Sequence, residues 1–431
     1  MSELSVEPLH RFHPYCARFP SEIVESVLKR YSNPGDSVFD PFCGSGTTLV
    51  VGLAHQRRVI GSDIDILAGM LSEVKCTPHA PDWYAEWRAP FAARLAEDFK
   101  AIARAWERRS PPQPGITWTS GSLRLPIPEF PELNYWFPPQ VIVSLAAVAE
   151  AAHRCQEPHF ERVALISLSA SIIAKWPHTL SYAMDIDHTR PHRRVQRFTL
   201  DRVLTSYLKR LDRTLACLGL LHEVYRDAGG LDALTDHSRV VYPHDAREPL
   251  PIVRDESQTL VITSPPYFNA VDYPRAHRMS VCWMNGYAPA GLASRRHYIG
   301  LRHAGAFTAE AWLQAHPKIR HLLPRSVLDR AALARRLCAF FADLETVLIQ
   351  VWRVLRPNGH AVFVIANNVI KGERIASHSI LAELAQGIGF TVIETTSRAI
   401  ASLRRRFPVG PFGFDGPMTH EYLVVLRRSR P

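Results

Sequence analysis

The sequence predicts an α/β fold in which a central, mostly parallel sheet is interrupted by a large, mainly helical insertion. Three observations carry this. A strand–loop–helix–strand unit occupies residues 37–63, amphipathic helical patterns replace it between about Cys76 and Asp236, and short apolar strand-like runs resume from Arg239.

In chain order, Ile23, Val24, Val27 and Leu28 recur at helical spacing within Glu22–Arg30, and Asn33-Pro34-Gly35-Asp36 reads as a turn. Ser37-Val38-Phe39-Asp40 is then a strand, Pro41-Phe42-Cys43-Gly44-Ser45-Gly46 a small-residue loop, and about Thr47 to His55 a helix. Arg58-Val59-Ile60-Gly61-Ser62-Asp63 is a short apolar strand that ends in an acid, which completes a βαβ unit with polar residues at the carboxyl ends of its strands. Within the insertion, Trp83 to Arg108 is an amphipathic helix broken at Pro111-Pro112-Gln113-Pro114, and Trp83, Trp87, Tyr135 and Trp136 read as core residues. Strands resume at Arg239–Asp245 and Thr259–Thr263. Beyond a strongly basic region, Leu337–Leu355 reads as a helix, Pro357-Asn358-Gly359 as a turn, His360–Ala366 as a strand, Ile380–Gly387 as a helix and His420–Arg427 as a closing strand. Residues 1–75 and 237–431 are therefore expected to form one domain, with 76–236 inserted into it.

The 431 residues, 46% of them hydrophobic, suffice for large buried cores. No stretch approaches the roughly 20 consecutive apolar residues of a membrane span. The N-terminus also lacks a basic-then-apolar export signal, so the expected compartment is the cytoplasm. Seven scattered cysteines, without a Cys-x-x-Cys pair or a His-Cys cluster, read as reduced packing thiols and predict no metal site. Fifty-one Lys and Arg against forty-one Asp and Glu give a net charge of +10, dominated by Arg, which favours a polyanionic partner.

The loop Asp40-Pro41-Phe42-Cys43-Gly44-Ser45-Gly46-Thr47-Thr48 has glycines that let backbone approach a ligand closely. It also feeds a helix whose amino end offers N–H groups to a carboxylate, which suits the amino-acid end of a cofactor. Asp63 stands near the roughly 20-residue distance at which α/β nucleotide sites set a carboxylate on ribose hydroxyls. Asp245, closing a later strand, is a candidate for an adenine amino group. The third glycine of a dinucleotide loop is missing.

This loop resembles that of the amino-group DNA methyltransferases, which reads Asp-Pro-Phe-x-Gly-Ser-Gly-Thr-Thr. The resemblance implies a Rossmann-like methyltransferase fold and S-adenosylmethionine as cofactor. The upstream His13-Pro14-Tyr15-Cys16-Ala17-Arg18-Phe19-Pro20 is similar to that family's short element preceding the loop, which implies that Tyr15 borders the cofactor.

Directly after the apolar strand comes Ser264-Pro265-Pro266-Tyr267, where the family carries its catalytic tetrapeptide. A ring-conjugated amine is a poor nucleophile, so its site must accept the amine's hydrogens and draw the lone pair out of the ring. Ser264 and the Pro265 carbonyl serve as hydrogen-bond partners, the consecutive prolines fix the backbone that aims them, and Tyr267 stacks on the base. The resemblance further implies that the target base is flipped out of double-stranded DNA. In that family Ser-Pro-Pro-Tyr is associated with cytosine N4 and Asp-Pro-Pro-Tyr with adenine N6, so N4 of cytosine is the expected acceptor. Adenine N6, an RNA amine, or a catalytically inactive nucleic-acid-binding module are the alternatives. The continuation to Asn269 and Asp272 shapes the pocket rim or, equally, caps the next helix.

Two basic regions are candidates for DNA contact. One is Lys175, Arg190, Arg193, Arg194 and Arg197 among aromatic and histidine residues; the other runs from Arg275 to Arg336 and includes Arg275, Arg278, Arg295 and Arg296. Arg404-Arg405-Arg406 reads as a solvated loop. Because the cofactor motif precedes the tetrapeptide with the insertion between them, the family's order implies that 76–236 is the target-recognition region. A cognate restriction endonuclease is left open as a partner.

Overall fold

In the computed structural model the described residues are 6, 9, 12–15, 18, 20–106, 111–174, 179–183, 198–229, 238–268, 272–284, 297–300, 307–370, 372–400 and 419–429. The chain divides into two compact units: a helical unit of residues 1–18, 73–235 and 273–292, and an α/β unit of residues 19–72, 236–272 and 293–431.

The strands are β1 (Ser37–Asp40), β2 (Arg58–Ser62), β3 (Thr117–Ser120), β4 (Leu123–Pro126), β5 (Ser238–Val241), β6 (Gln258–Thr263), β7 (Leu355–Ala366), β8 (Asn368–Ile370), β9 (Glu373–Ile375), β10 (Phe390–Ala399) and β11 (His420–Arg428). Seven of them build the sheet of the α/β unit in the order β10-β11-β7-β6-β1-β2-β5. The run from β7 to β5 pairs parallel throughout, and β11 alone runs antiparallel to both neighbours. This is the Rossmann-like methyltransferase arrangement.

Strand order fixes where such a sheet binds its ligand. From β1 the chain moves outward through β2 to β5, then returns to β6 on the other side of β1. The topological switch point therefore lies between β1 and β6, and a crevice opens at their carboxyl ends. The register Val38–Leu260 and Phe39–Val261 brings the two strand ends level. Both strands are almost wholly buried, as expected for parallel strands covered on both faces by helices such as Ser21–Tyr31 and Ala331–Val354.

Two local expectations are revised. The Pro357-Asn358-Gly359 turn lies inside β7: pairing jumps from Gln258–Leu355 to Leu260–His360, and Asn358 takes φ 63° in the bulge. Strand β10 has no counterpart in the sequence reading. It is the sheet edge, where only Phe390 is buried and most exposed positions are polar, with Ile393 an exception at 40% exposed, so the apolar signal is weak.

The helical unit packs Pro81–Trp106, Pro139–His153, Pro158–Ile172 and Leu200–Asp227 with the β3–β4 hairpin. Pro139–His153 is rich in Ala and Val and buried on nearly all sides, which marks it as a core helix. Residues 1–18 and 273–292, expected in the catalytic domain, group with this unit, and several of their described side chains are committed to its core. Phe12 is fully buried, His13 Nε2 lies 2.8 Å from Ser169 Oγ, and Trp283 meets Phe137 edge-on at 5.9 Å.

Candidate active site

The loop after β1 is built by backbone hydrogen bonds. Cys43 N–H donates to Ser62 O at 3.0 Å, which folds the loop back onto the end of β2, and Gly46 N–H donates to Cys43 O at 2.7 Å. Gly46 caps the helix Thr47–Ala54 with φ 85°, in the left-handed region. A Cβ there would also stand 2.9 Å from Ser72 Oγ, so conformation and space both require glycine. No side chain caps this helix start, which leaves its N-terminus to the solvent or a ligand. Pro41, Cys43, Ser45, Gly46 and Thr47 are buried, whereas Phe42 and Gly44 are half-buried; of the predicted loop contacts, these two present the surface.

Asp40 has a different place from the one expected of a cofactor ligand. It is 2% exposed, accepts hydrogen bonds from Phe42 N–H at 3.0 Å and from the Thr263 hydroxyl at 2.6 Å, and burial pushes its carboxyl up to about 6 despite them. It ties the loop after β1 to the end of β6, one residue before Ser264.

Asp63 is half-buried beside the loop. Its Oδ2 accepts from Gly44 N–H and its Oδ1 from Asp65 N–H, each at 2.9 Å. Burial first, and the neighbouring Asp65 carboxylate second, push it up to about 7. Asp65, which the sequence reading passed over, accepts Ala68 N–H at 3.0 Å at the start of the helix Ile66–Cys76. An aspartate two residues after Asp63 and directly before a helical run was a readable signal.

Asp245 is revised. Its carboxylate is engaged by Arg247, whose Nε donates to Oδ1 at 2.9 Å, while Arg247 also pairs with buried Asp343 at 2.8 Å. Burial alone would raise Asp245; the guanidinium overcomes it and holds the group below the ordinary carboxylate range. The Arg247 N–H also donates to Asp245 Oδ1 at 3.0 Å, the aspartate turn that an Asp-x-Arg spacing allows.

In the tetrapeptide, the Ser264 and Tyr267 hydroxyls lie 3.2 Å apart, Pro265 is buried, and Ser264, Pro266 and Tyr267 are half-buried. Burial, then the charge of Glu421, raise the Tyr267 phenol, which keeps it a neutral hydroxyl. Directly behind, Phe268 is fully buried against Phe340. The two motifs, far apart in sequence, thus meet at the carboxyl ends of the adjacent strands β1 and β6 through the Thr263–Asp40 hydrogen bond.

Other predicted residues lie elsewhere or outside the described residues. Tyr15 belongs to the helical unit, its ring 6.3 Å from Tyr273 and 5.2 Å from His277. Arg275 and Arg278 lie on the helix Tyr273–Val281 of that unit. Arg278 is internally engaged: it pairs with Glu132 at 2.9 Å and covers the Trp136 ring at 5.6 Å, which revises its reading as a DNA contact. Lys175, Arg190, Arg193, Arg194, Arg197, Asn269, Arg295, Arg296 and Arg404–Arg406 fall outside the described residues. Trp136 is core, whereas Trp83 and Trp87 are half-buried and Tyr135 is 44% exposed. Among the described residues no group of three or more His, Cys, Asp or Glu is placed to hold a metal, and no helix is long and apolar enough to cross a membrane.

The sheet thus has the strand order of the Rossmann-like methyltransferase fold. Residues 3–69 match the DNA methylase family model. The Type II methyltransferase M.MvaI of Kocuria varians is 22% identical over 447 aligned residues, covering 98% of this chain and 91% of that protein. Shorter stretches match the Type II methyltransferase M.MjaII of Methanocaldococcus jannaschii, 45% identical over 67 residues (16% of this chain, 13% of that protein). The DNA adenine methyltransferase YhdJ of Escherichia coli is 48% identical over 50 residues (11% and 17%). Together these matches support the amino-group, S-adenosylmethionine-dependent DNA methyltransferase family for this chain. The residues present fit that cofactor: an uncapped helix N-terminus for a carboxylate, glycine backbone at Gly44 and Gly46, and a half-exposed acid at Asp63 for hydroxyls.

Proposed function

We propose that the protein methylates the exocyclic N4 amine of cytosine in double-stranded DNA, with the base flipped out and Ser264-Pro265-Pro266-Tyr267 as the catalytic tetrapeptide. One observation carries the reading: the buried Thr263–Asp40 hydrogen bond, which couples the end of β6 to the loop after β1 across the switch point. S-adenosylmethionine supplies a methyl group made electrophilic by its sulfonium. Gly44 and the helix start at Thr47 hold the amino-acid end of the cofactor and Asp63 its ribose hydroxyls; Phe42 borders it. The Pro265 carbonyl and the Ser264 hydroxyl accept the amine's hydrogens, which localises the lone pair on nitrogen, and Tyr267 stacks on the ring while its hydroxyl orients Ser264. Residues 76–236 form the target-recognition region, and the basic residues Lys175, Arg193, Arg194, Arg275, Arg295 and Arg296 neutralise phosphates. Similarity over nearly the full chain to a Type II methyltransferase supports a protective role beside a restriction endonuclease.

A second reading, adenine N6, is favoured by the local match to a protein named as an adenine methyltransferase. Mass spectrometry of nucleosides from DNA incubated with the protein and labelled cofactor separates them. N4-methylcytosine is the expected product; N6-methyladenine replaces the proposed base with the second reading, and a product confined to RNA sinks both.

A further inference from the structure

Residues His297–Gly300 bring two anchors to the carboxyl ends of β2 and β5, where no motif predicted anything. Tyr298 is 7% exposed, and its hydroxyl donates to Asp65 Oδ2 at 3.2 Å. The His297 carbonyl accepts from Arg247 at 3.0 Å, Ile299 is buried in the apolar core, and Gly300, at φ 83°, faces the Phe340 ring. The segment is thus seated from both sides, and the Tyr298 hydroxyl reaches the cofactor edge through Asp65.

Asp65 in turn stands behind Asp63. Its N–H donates to Asp63 Oδ1, Asp63 Oδ2 accepts Gly44 N–H, and the Gly44 carbonyl accepts the Ser72 hydroxyl at 2.9 Å from the helix that Asp65 begins. A continuous chain of hydrogen bonds therefore runs from Tyr298 through Asp65 and Asp63 to the backbone of the glycine loop. Two carboxylates of like charge side by side repel each other and hold position only while donors cover them.

We propose that Tyr298 is a positioning residue for S-adenosylmethionine: its hydroxyl fixes Asp65, and through it the Asp63 carboxylate and the Gly44 backbone that meet the cofactor. The inference rests on the cofactor placement proposed above. Tyr298 touches neither cofactor nor base in this role, so its loss acts on cofactor affinity and leaves the tetrapeptide's chemistry alone.

The test uses the full-length protein and Tyr298→Phe, which keeps the buried ring and removes only the hydroxyl. Titration calorimetry with S-adenosylmethionine is expected to show about tenfold weaker binding, the loss of one charge-assisted hydrogen bond. The cofactor KM should rise by a similar factor, with kcat at saturating cofactor within about twofold and Tm lower by no more than about 5 °C. Asp65→Asn and the double variant close the cycle: the double should lose little more than the worse single variant. Unchanged affinity in Tyr298→Phe, a fall in kcat as large as the rise in KM, or strictly additive losses each overturn the proposal. Asp63→Asn separates the two levels. If it binds the cofactor normally, the cofactor placement itself fails; if it binds weakly while Tyr298→Phe binds normally, only the role of Tyr298 fails.

Discussion

Thr263→Val removes one hydroxyl from the joint between the two motifs and replaces it with a methyl of similar shape. Thr263 is fully buried and Asp40 nearly so, so water has little room to replace the lost donor. A hydrogen bond to a buried charged group is worth about 1.5–3 kcal/mol, and leaving the acceptor short of a partner costs its desolvation. We therefore expect about 2 kcal/mol at pH 8, where Asp40 is ionised. Its carboxyl titrates near 6 in the folded chain against an ordinary 3.8, so folding holds a proton between those values. This group's contribution to stability is greatest below pH 4 and falls by about 3 kcal/mol as pH rises through 6. Removal of the Thr263 donor, the strongest influence opposing burial, carries that fall to higher pH. At pH 5 Asp40 is protonated and the missing bond is a neutral one, worth about 1 kcal/mol. Hydrogen exchange read by mass spectrometry over residues 37–48 and 258–268 resolves the site from the rest of a two-unit chain. Protection should drop about 30-fold at pH 8 and about fivefold at pH 5. Equal ratios at both pH values, or a drop below about threefold at pH 8, would refute the assigned coupling.

Three further outcomes are expected. Ser264→Ala and Tyr267→Ala should each lower single-turnover methyl transfer by at least about 100-fold, the range for loss of one preorganised group, with cofactor affinity by calorimetry within about twofold. Cofactor affinity should rise with pH through about 7, because Asp63 must ionise to accept the ribose hydroxyls and its carboxyl is pushed up to about 7; calorimetry from pH 6 to 8.5 checks this, and Asp63→Asn should flatten the profile. Arg247→Met leaves Asp245 and Asp343 without their shared cation in a largely buried setting, so a loss of about 3–5 kcal/mol and a melting point lower by about 10 °C are expected in calorimetric scans.

The sequence disclosed what is contiguous. The glycine loop and the tetrapeptide each fit in a few residues, and each follows an apolar run short enough to be a strand, so their place at strand carboxyl ends was readable before any coordinates. Periodicity likewise exposed the buried strands and the amphipathic helices. It was blind to β10, whose apolar residues Phe390, Val392 and Ile393 give way to a polar run from Glu394 to Arg398, and to the bulge that puts Pro357-Asn358-Gly359 within β7. Side chains whose partners lie far along the chain were also out of reach. His13 meets Ser169 across 156 residues and Tyr298 meets Asp65 across 233, and neither pair leaves a local pattern.

The acids show why motif reading and chemistry part company here. Asp40, Asp63 and Asp245 each close an apolar run, and all three were expected at the cofactor, Asp63 on the ribose and Asp245 on the adenine amino group. Their partners separate them: Asp40 is buried beneath the loop, Asp245 is held by Arg247, and Asp63 keeps surface beside Gly44. A carboxylate that meets a cofactor must retain both exposure and an available lone pair; Asp63 and Asp245 are both half-buried, and Asp63 is held by two backbone N–H groups rather than by a guanidinium. The other two are committed to structure: Asp40 joins the loop after β1 to the end of β6, and Asp245 is paired with Arg247. That division predicts distinct failures, since damage to Asp40 or Asp245 should appear first in local stability, and damage to Asp63 first in cofactor binding.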